Sequence, residues 1–156
     1  MKKYVLMMML FTALVSCSKK EFAYNEKMSY LFLNCMEKVD ENYERLNSGS
    51  YDGDKETELK NAKRIATYTS EMRTESKDLV PSEDAKPFHD EVLKYFDMIE
   101  KEYAPLFVSY VEATDANTKI ALKAQITAKF KDLEQQATTT QDVQKVYFEK
   151  VGLTAK

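Results

Sequence analysis

Turn-forming residues are scarce in this chain, whose 156 residues include only three glycines and three prolines. β-Hairpins rely on such residues at their turns, so this scarcity argues against a β-rich fold. Of the two cysteines, Cys17 and Cys35, only the second lies in the helical part of the sequence, and no internal disulfide is expected. The chain has one histidine, His89. A di-iron bundle needs two Glu-x-x-His motifs, and an ordinary zinc site needs several histidine or cysteine ligands, so neither site is expected.

The chain also has no excess of basic residues, since it contains 23 lysines and arginines and 26 aspartates and glutamates. Nucleic-acid-binding proteins usually carry a clustered basic surface, so nucleic acid is not an expected partner. The sequence has no phosphate-binding glycine loop, no Gly-x-Ser-x-Gly elbow and no haem-attachment motif. We therefore expect a protein that is not an enzyme and that has no catalytic residue, cofactor or metal ion.

Helix-forming residues are plentiful, and apolar residues recur at spacings of three, four or seven. Amphipathic segments of this kind occupy residues 24–47, 54–80, 82–110 and 115–151. A single amphipathic helix is marginal in water, so the apolar stripes are expected to bury one another. Since the intervening loops are short, the sequence predicts an all-α fold over residues 23–156, an antiparallel up-down-up-down four-helix bundle.

Particular residues mark where these helices should begin, bend or end. Asp54 and Asp115 are the predicted N-caps of the second and fourth helices. Pro105 lies inside the third helix, where loss of a backbone donor predicts a kink. Gly152 suits the left-handed position after the fourth helix. The β-branched run at residues 138–140 leaves open whether that helix is continuous or broken.

The segment 105–111 is apolar around the whole helix, and such a helix is either buried on all sides or meets a partner. On a helical wheel Leu106 and Tyr110 face the core. Either the preceding loop covers the remaining side chains, with Tyr51 as a lid, or they form a partner-binding patch made of Tyr51, Phe107, Val108 and Val111. The alternative is a small-ligand pocket between helices near the Pro105 kink, lined by Tyr103, Phe107 and Tyr110.

The first residues have the order of a secretory signal peptide. Lys2 and Lys3 are followed by the apolar stretch 4–15, in which Thr12 is the one polar residue. This stretch is shorter than the roughly 20 residues of a membrane span. An N-terminal membrane helix is the alternative, but a signal peptide is the better interpretation.

The four residues Leu14-Val15-Ser16-Cys17 resemble the lipobox of bacterial lipoproteins. The resemblance implies a signal peptide of residues 1–16, cleavage before Cys17, a diacylglyceryl thioether on its sulfur, and usually a further acyl group on the new amine. Cleavage removes two lysines, so the net charge falls from −3 to −5. Residues 17–22 would then be the lipidated N-terminus and a short linker.

Attachment of this kind is firm, because two or more acyl chains hold a protein on a membrane far better than one. In the resembling lipoproteins an Asp after the cysteine often retains the protein in the inner membrane. Ser18 stands there instead, which favours the outer membrane, facing either the periplasm or the cell surface. The sequence therefore predicts a small helical envelope lipoprotein, held by acyl chains on Cys17, that binds an unknown protein or envelope component.

Overall fold

The computed structural model describes residues 19–51 and 53–153 as a four-helix bundle, which confirms the predicted all-α fold. The third helix of the bundle has three parts, namely α3, a π-helical segment and α4. The elements in chain order are α1 (Lys19–Asn47), α2 (Lys55–Ser76), α3 (Lys86–Met98), the π segment (Ile99–Tyr103), α4 (Ala104–Glu112) and α5 (Ala116–Val151). The predicted signal peptide and Cys17 lie outside the described residues.

Helix α1 begins at Lys19, earlier than the start near Tyr24 that the sequence predicts. Residues 19–22, which the sequence assigns to a linker, are therefore helical. The first described residue, Lys19, is already helical and follows the predicted site of lipidation by two positions.

The predicted helix ends are confirmed at three positions. The carboxylates of Asp54 and Asp115 accept backbone hydrogen bonds from Thr57 at 2.9 Å and Thr118 at 2.7 Å. Gly152 closes α5 with a φ of 70°. α5 is continuous through residues 138–140, where each threonine hydroxyl donates to the carbonyl four residues earlier.

Cross-helix contacts tie the ends of neighbouring helices together. Lys27 near the start of α1 lies 2.6 Å from Glu75 at the end of α2, and Arg45 near the end of α1 lies 2.9 Å from Glu58. α2 also packs on α4, and α3 packs on α5. The up-down-up-down order stays a prediction, with which these contacts agree.

The π segment ends at Tyr103, two residues before Pro105. The backbone N–H of Ala104 donates to the carbonyl of Ile99, five residues earlier rather than four. Proline has no N–H to donate to the carbonyl of Lys101, and its ring crowds that carbonyl, so the regular helical pattern cannot continue there. A π segment adds one residue to a turn and changes which side chains after it face the core. The kink itself stays a prediction.

This one-residue change corrects the helical wheel. Phe107 is fully buried and Val111 and Tyr110 are buried, whereas Leu106 is only partly buried. Leu106 packs at the edge of the core, and the assignment of Phe107 to another side of the helix was wrong. Counted from Ile99, the extra residue of the π segment places Phe107, rather than Leu106, on the buried stripe two turns later.

Gly152 offers a test of the α5 end. Replacing it with alanine places a Cβ at a φ of 70° and is expected to lower the free energy of unfolding by about 1 kcal/mol. Gly53 is the matched control, because a Cβ there meets its nearest atom, Glu58 Oε1, at an ordinary 3.5 Å. Urea unfolding of Gly152→Ala and Gly53→Ala compares the two. Equal costs would show that the left-handed conformation contributes nothing.

Candidate interaction surfaces

The predicted partner-binding patch is covered in this structure. The loop after α1 places the ring of Tyr51 over Phe107, with 5.4 Å between the ring centroids. The Tyr51 hydroxyl donates to Asn42, and the Arg45 guanidinium lies 5.2 Å from the ring. Tyr51 is therefore a lid, and Val108 is the member of the patch that keeps partial exposure. A partner that reached Phe107 from this side would first have to move Tyr51.

The three aromatic side chains predicted to line a pocket near Pro105 pack against their surroundings. The rings of Tyr103 and Phe107 meet edge to face at 4.9 Å, and the Tyr103 hydroxyl donates to the carbonyl of Val39 at 3.3 Å. Tyr110 is buried beneath the ammonium group of Lys119, which lies 5.0 Å from the ring. The structure brings the predicted residues together as core.

A small cleft lies instead between α1 and α2. Its volume is about 90 Å³, and its walls are formed by Lys38, Glu41, Asn42, Arg45, Asn61, Arg64 and Ile65. About three water molecules occupy this volume in the liquid. An ordinary ligand site is much larger, with a volume of several hundred Å³. A shallow, open depression on α2 is lined by Ala66, Thr67, Ser70, Glu71, Thr74 and Glu75. The cleft can hold water, and its walls are polar enough to bind it.

A polar network closes the end of the bundle where α1 begins. The Glu21 carboxylate accepts hydrogen bonds from the Tyr147 hydroxyl at 2.8 Å and from the Ser82 hydroxyl at 3.2 Å. These residues come from α1, α5 and the segment before α3. Glu21 thereby joins three parts of the chain at this end. The sequence gives no sign of this role, because Glu21 follows two lysines in a stretch that reads as linker.

His89 lies at the same end and is not the solvated side chain that its neighbours Asp90 and Glu91 suggest. Its Nδ1 lies 2.9 Å from the Tyr24 hydroxyl, and the side chain is half-buried. Burial lowers the pKa of His89 and raises the pKa of Tyr24. Both groups are therefore neutral near pH 7, and the pair forms a hydrogen bond between uncharged partners.

Cys35 is fully buried on the core side of α1. Burial raises the pKa of its thiol to about 12, so the thiolate needed for nucleophilic attack does not form near neutral pH. Its surroundings fit a small apolar side chain of the core.

Asp40 is an unusual carboxylate that sequence reasoning missed. Burial, together with the nearby negative charge of Glu134, raises its pKa to about 6, and its Oδ1 is buried without a hydrogen-bond partner. In the sequence it looks like one of the solvated acidic residues on the outer face of α1. Asp40 differs from those residues in its burial and in the nearby charge of Glu134 on α5, and both depend on the tertiary structure.

Residues 19–51 and 53–153 contain neither a cluster of metal ligands nor a membrane-spanning helix. No group of three or more histidine, cysteine, aspartate or glutamate side chains there is placed to hold a metal ion. In the same ranges no helix is both long and apolar enough to cross a bilayer. Comparison with protein-family models, with curated proteins and with solved structures finds no match for this chain.

Proposed function

We propose that this protein is a lipoprotein of the bacterial cell envelope, anchored by acyl chains on Cys17, which binds a protein or another envelope component through the exterior of its helices. The observation that carries the proposal is the sequence Leu14-Val15-Ser16-Cys17 after a charged and then apolar stretch. Because the chain is helical from Lys19 onward, acyl chains on Cys17 would hold the bundle close to the membrane.

Binding rather than catalysis is supported by the state of the two side chains best suited to chemistry. The Cys35 thiol is buried and protonated near neutral pH, and the His89 ring is hydrogen-bonded to the Tyr24 hydroxyl. Nucleophilic catalysis by cysteine requires a thiolate or an adjacent base. The aromatic side chains near Pro105 fill the core, which disfavours the alternative of a small-ligand pocket there.

The membrane that holds the protein is proposed from residues next to the anchor. Ser18 follows Cys17, where an Asp would favour the inner membrane in the resembling lipoproteins. Lys19 and Lys20 are exposed at the start of α1, next to the proposed anchor. We assign the protein to the outer membrane.

The two cysteines provide a direct test of the anchor. With a labelled fatty acid in the growth medium, the wild-type protein and Cys35→Ala are expected to carry label and to sediment with membranes. Cys17→Ala is expected to lose the label completely and to leave the membrane fraction, because Cys17 provides the thioether sulfur. Mass spectrometry of the N-terminal peptide identifies the modification. A wild-type protein that retains Met1 would contradict the proposal.

The same variants separate anchoring from binding. Chemical cross-linking in intact envelopes, followed by purification, is expected to recover one defined component with the wild type and with Cys35→Ala. Cys17→Ala is expected to recover it less often, because loss of the anchor lowers the local concentration of the protein at the membrane. If no component is enriched over a control purification, the binding function is wrong even where lipidation is found.

A further inference from the structure

Exposed apolar side chains are found at the end of the bundle where α1 begins. Phe22 in the first turns of α1 is 46% exposed, and Val80 in the segment between α2 and α3 is 76% exposed. The hydrogen bond between Glu21 and Ser82 joins the two segments, so Phe22 and Val80 lie at the same end of the molecule. Neither side chain is covered by another part of the described chain.

The chain before α1 limits how far this end can lie from a lipid anchor. Lys19 follows Cys17 by two residues, which span at most about 7 Å when extended. Phe22 lies three residues further along α1, a rise of about 4.5 Å. The headgroup layer on each side of a bilayer is itself about 5–8 Å thick. Phe22 is therefore within reach of the headgroups of the membrane that holds Cys17.

We propose that the anchor-proximal face, defined as Lys19, Lys20, Phe22 and Val80, lies on the surface of the lipid bilayer. This inference rests on the proposed lipid anchor and adds a direct contact between protein and lipid. Phenylalanine is among the residues with which helices lying on a membrane insert their apolar face at the boundary between headgroups and acyl chains. The contact fixes the orientation of the bundle, so that the Tyr51 loop and the start of α5 point away from the membrane.

Apolar insertion, not charge, carries this contact. Lys19 and Lys20 are exposed on the face and Lys77 is exposed near it, but Asp78, Glu83 and Asp84 are exposed at the same end of the bundle. These opposing charges leave little net attraction to an anionic surface. The face is therefore expected to contact zwitterionic and anionic bilayers alike.

The chain contains no tryptophan, so a single introduced tryptophan reports on its own position. Phe22→Trp and Val80→Trp place the probe on the anchor-proximal face. Tyr30→Trp and Ile120→Trp are matched controls, because Tyr30 and Ile120 are 56% and 69% exposed but lie elsewhere on the bundle. Each acylated full-length variant is reconstituted into phosphatidylcholine vesicles with and without brominated acyl chains, and the tryptophan emission is measured.

Brominated lipid is expected to quench the emission of Phe22→Trp and Val80→Trp about twofold, since an interfacial ring lies next to the upper acyl chains. The emission of Tyr30→Trp and Ile120→Trp is expected to stay unchanged. Circular dichroism checks that each variant is folded, and the mass of the N-terminal peptide checks that Cys17 is acylated. Acylated, vesicle-bound variants that are all unquenched would overturn the lipid contact and leave the anchor standing. An unmodified Cys17 in the native protein would overturn both.

Discussion

Phe107→Ala is expected to lower the free energy of unfolding by about 3–5 kcal/mol, the usual cost of removing a fully buried phenylalanine. Its ring is 0% exposed and contacts both Tyr103 and Tyr51. Leu106→Ala, one residue earlier, is expected to cost about 1 kcal/mol because that side chain is only partly buried. Urea denaturation of the two variants, followed by circular dichroism, measures the difference.

The comparison of these two variants tests the π segment. In a regular helix Leu106, two turns after Ile99, would lie on the buried stripe, and Leu106→Ala would then be the more costly change. The extra residue of the π segment instead places Phe107 on that stripe. A larger loss of stability for Leu106→Ala than for Phe107→Ala would show that the extra residue in the turn is absent in solution.

Periodicity predicted most of this fold because each helix buries one continuous stripe of side chains. The N-caps at Asp54 and Asp115 and the left-handed Gly152 were also predictable, since each depends on residues within a few positions. The π segment was not, because a change of hydrogen-bond partner from four to five residues leaves no mark in the sequence beyond Pro105. One such local change was sufficient to exchange Leu106 and Phe107.

The candidate surfaces were less predictable for a similar reason. The resemblance of residues 14–17 to a lipobox rests on adjacent residues and can be read directly from the sequence. Whether Phe107 is available to a partner depends on where the distant side chain of Tyr51 lies, and the structure places it as a lid. The role of Glu21 depends likewise on Ser82 and Tyr147, which are far away in the sequence. Contacts of this kind follow from tertiary structure alone.

Asp40→Asn is expected to raise the free energy of unfolding by about 1–2 kcal/mol at pH 7, a value reduced for the solvent screening of this half-buried carboxyl group. The folded-state pKa of Asp40 is about 6, above the ordinary 3.8, so folding opposes its ionisation. Below about pH 4 Asp40 is protonated in both states, and the free energy of unfolding of the wild type is not reduced by its charge. As pH rises from about 4 to about 6, that free energy falls, because the unfolded state ionises more readily than the folded state. The amide of asparagine stays neutral throughout.

The difference in stability between Asp40→Asn and the wild type is consequently expected to be near zero at pH 4, to grow between pH 4 and 6, and to level off above that range. Chemical denaturation at several pH values measures it. Glu71→Gln is the matched control, because Glu71 is exposed on α2 and its replacement should change stability by less than about 0.5 kcal/mol. A difference that stays constant with pH, or that has the opposite sign, would show that Asp40 is solvated like its neighbours on α1.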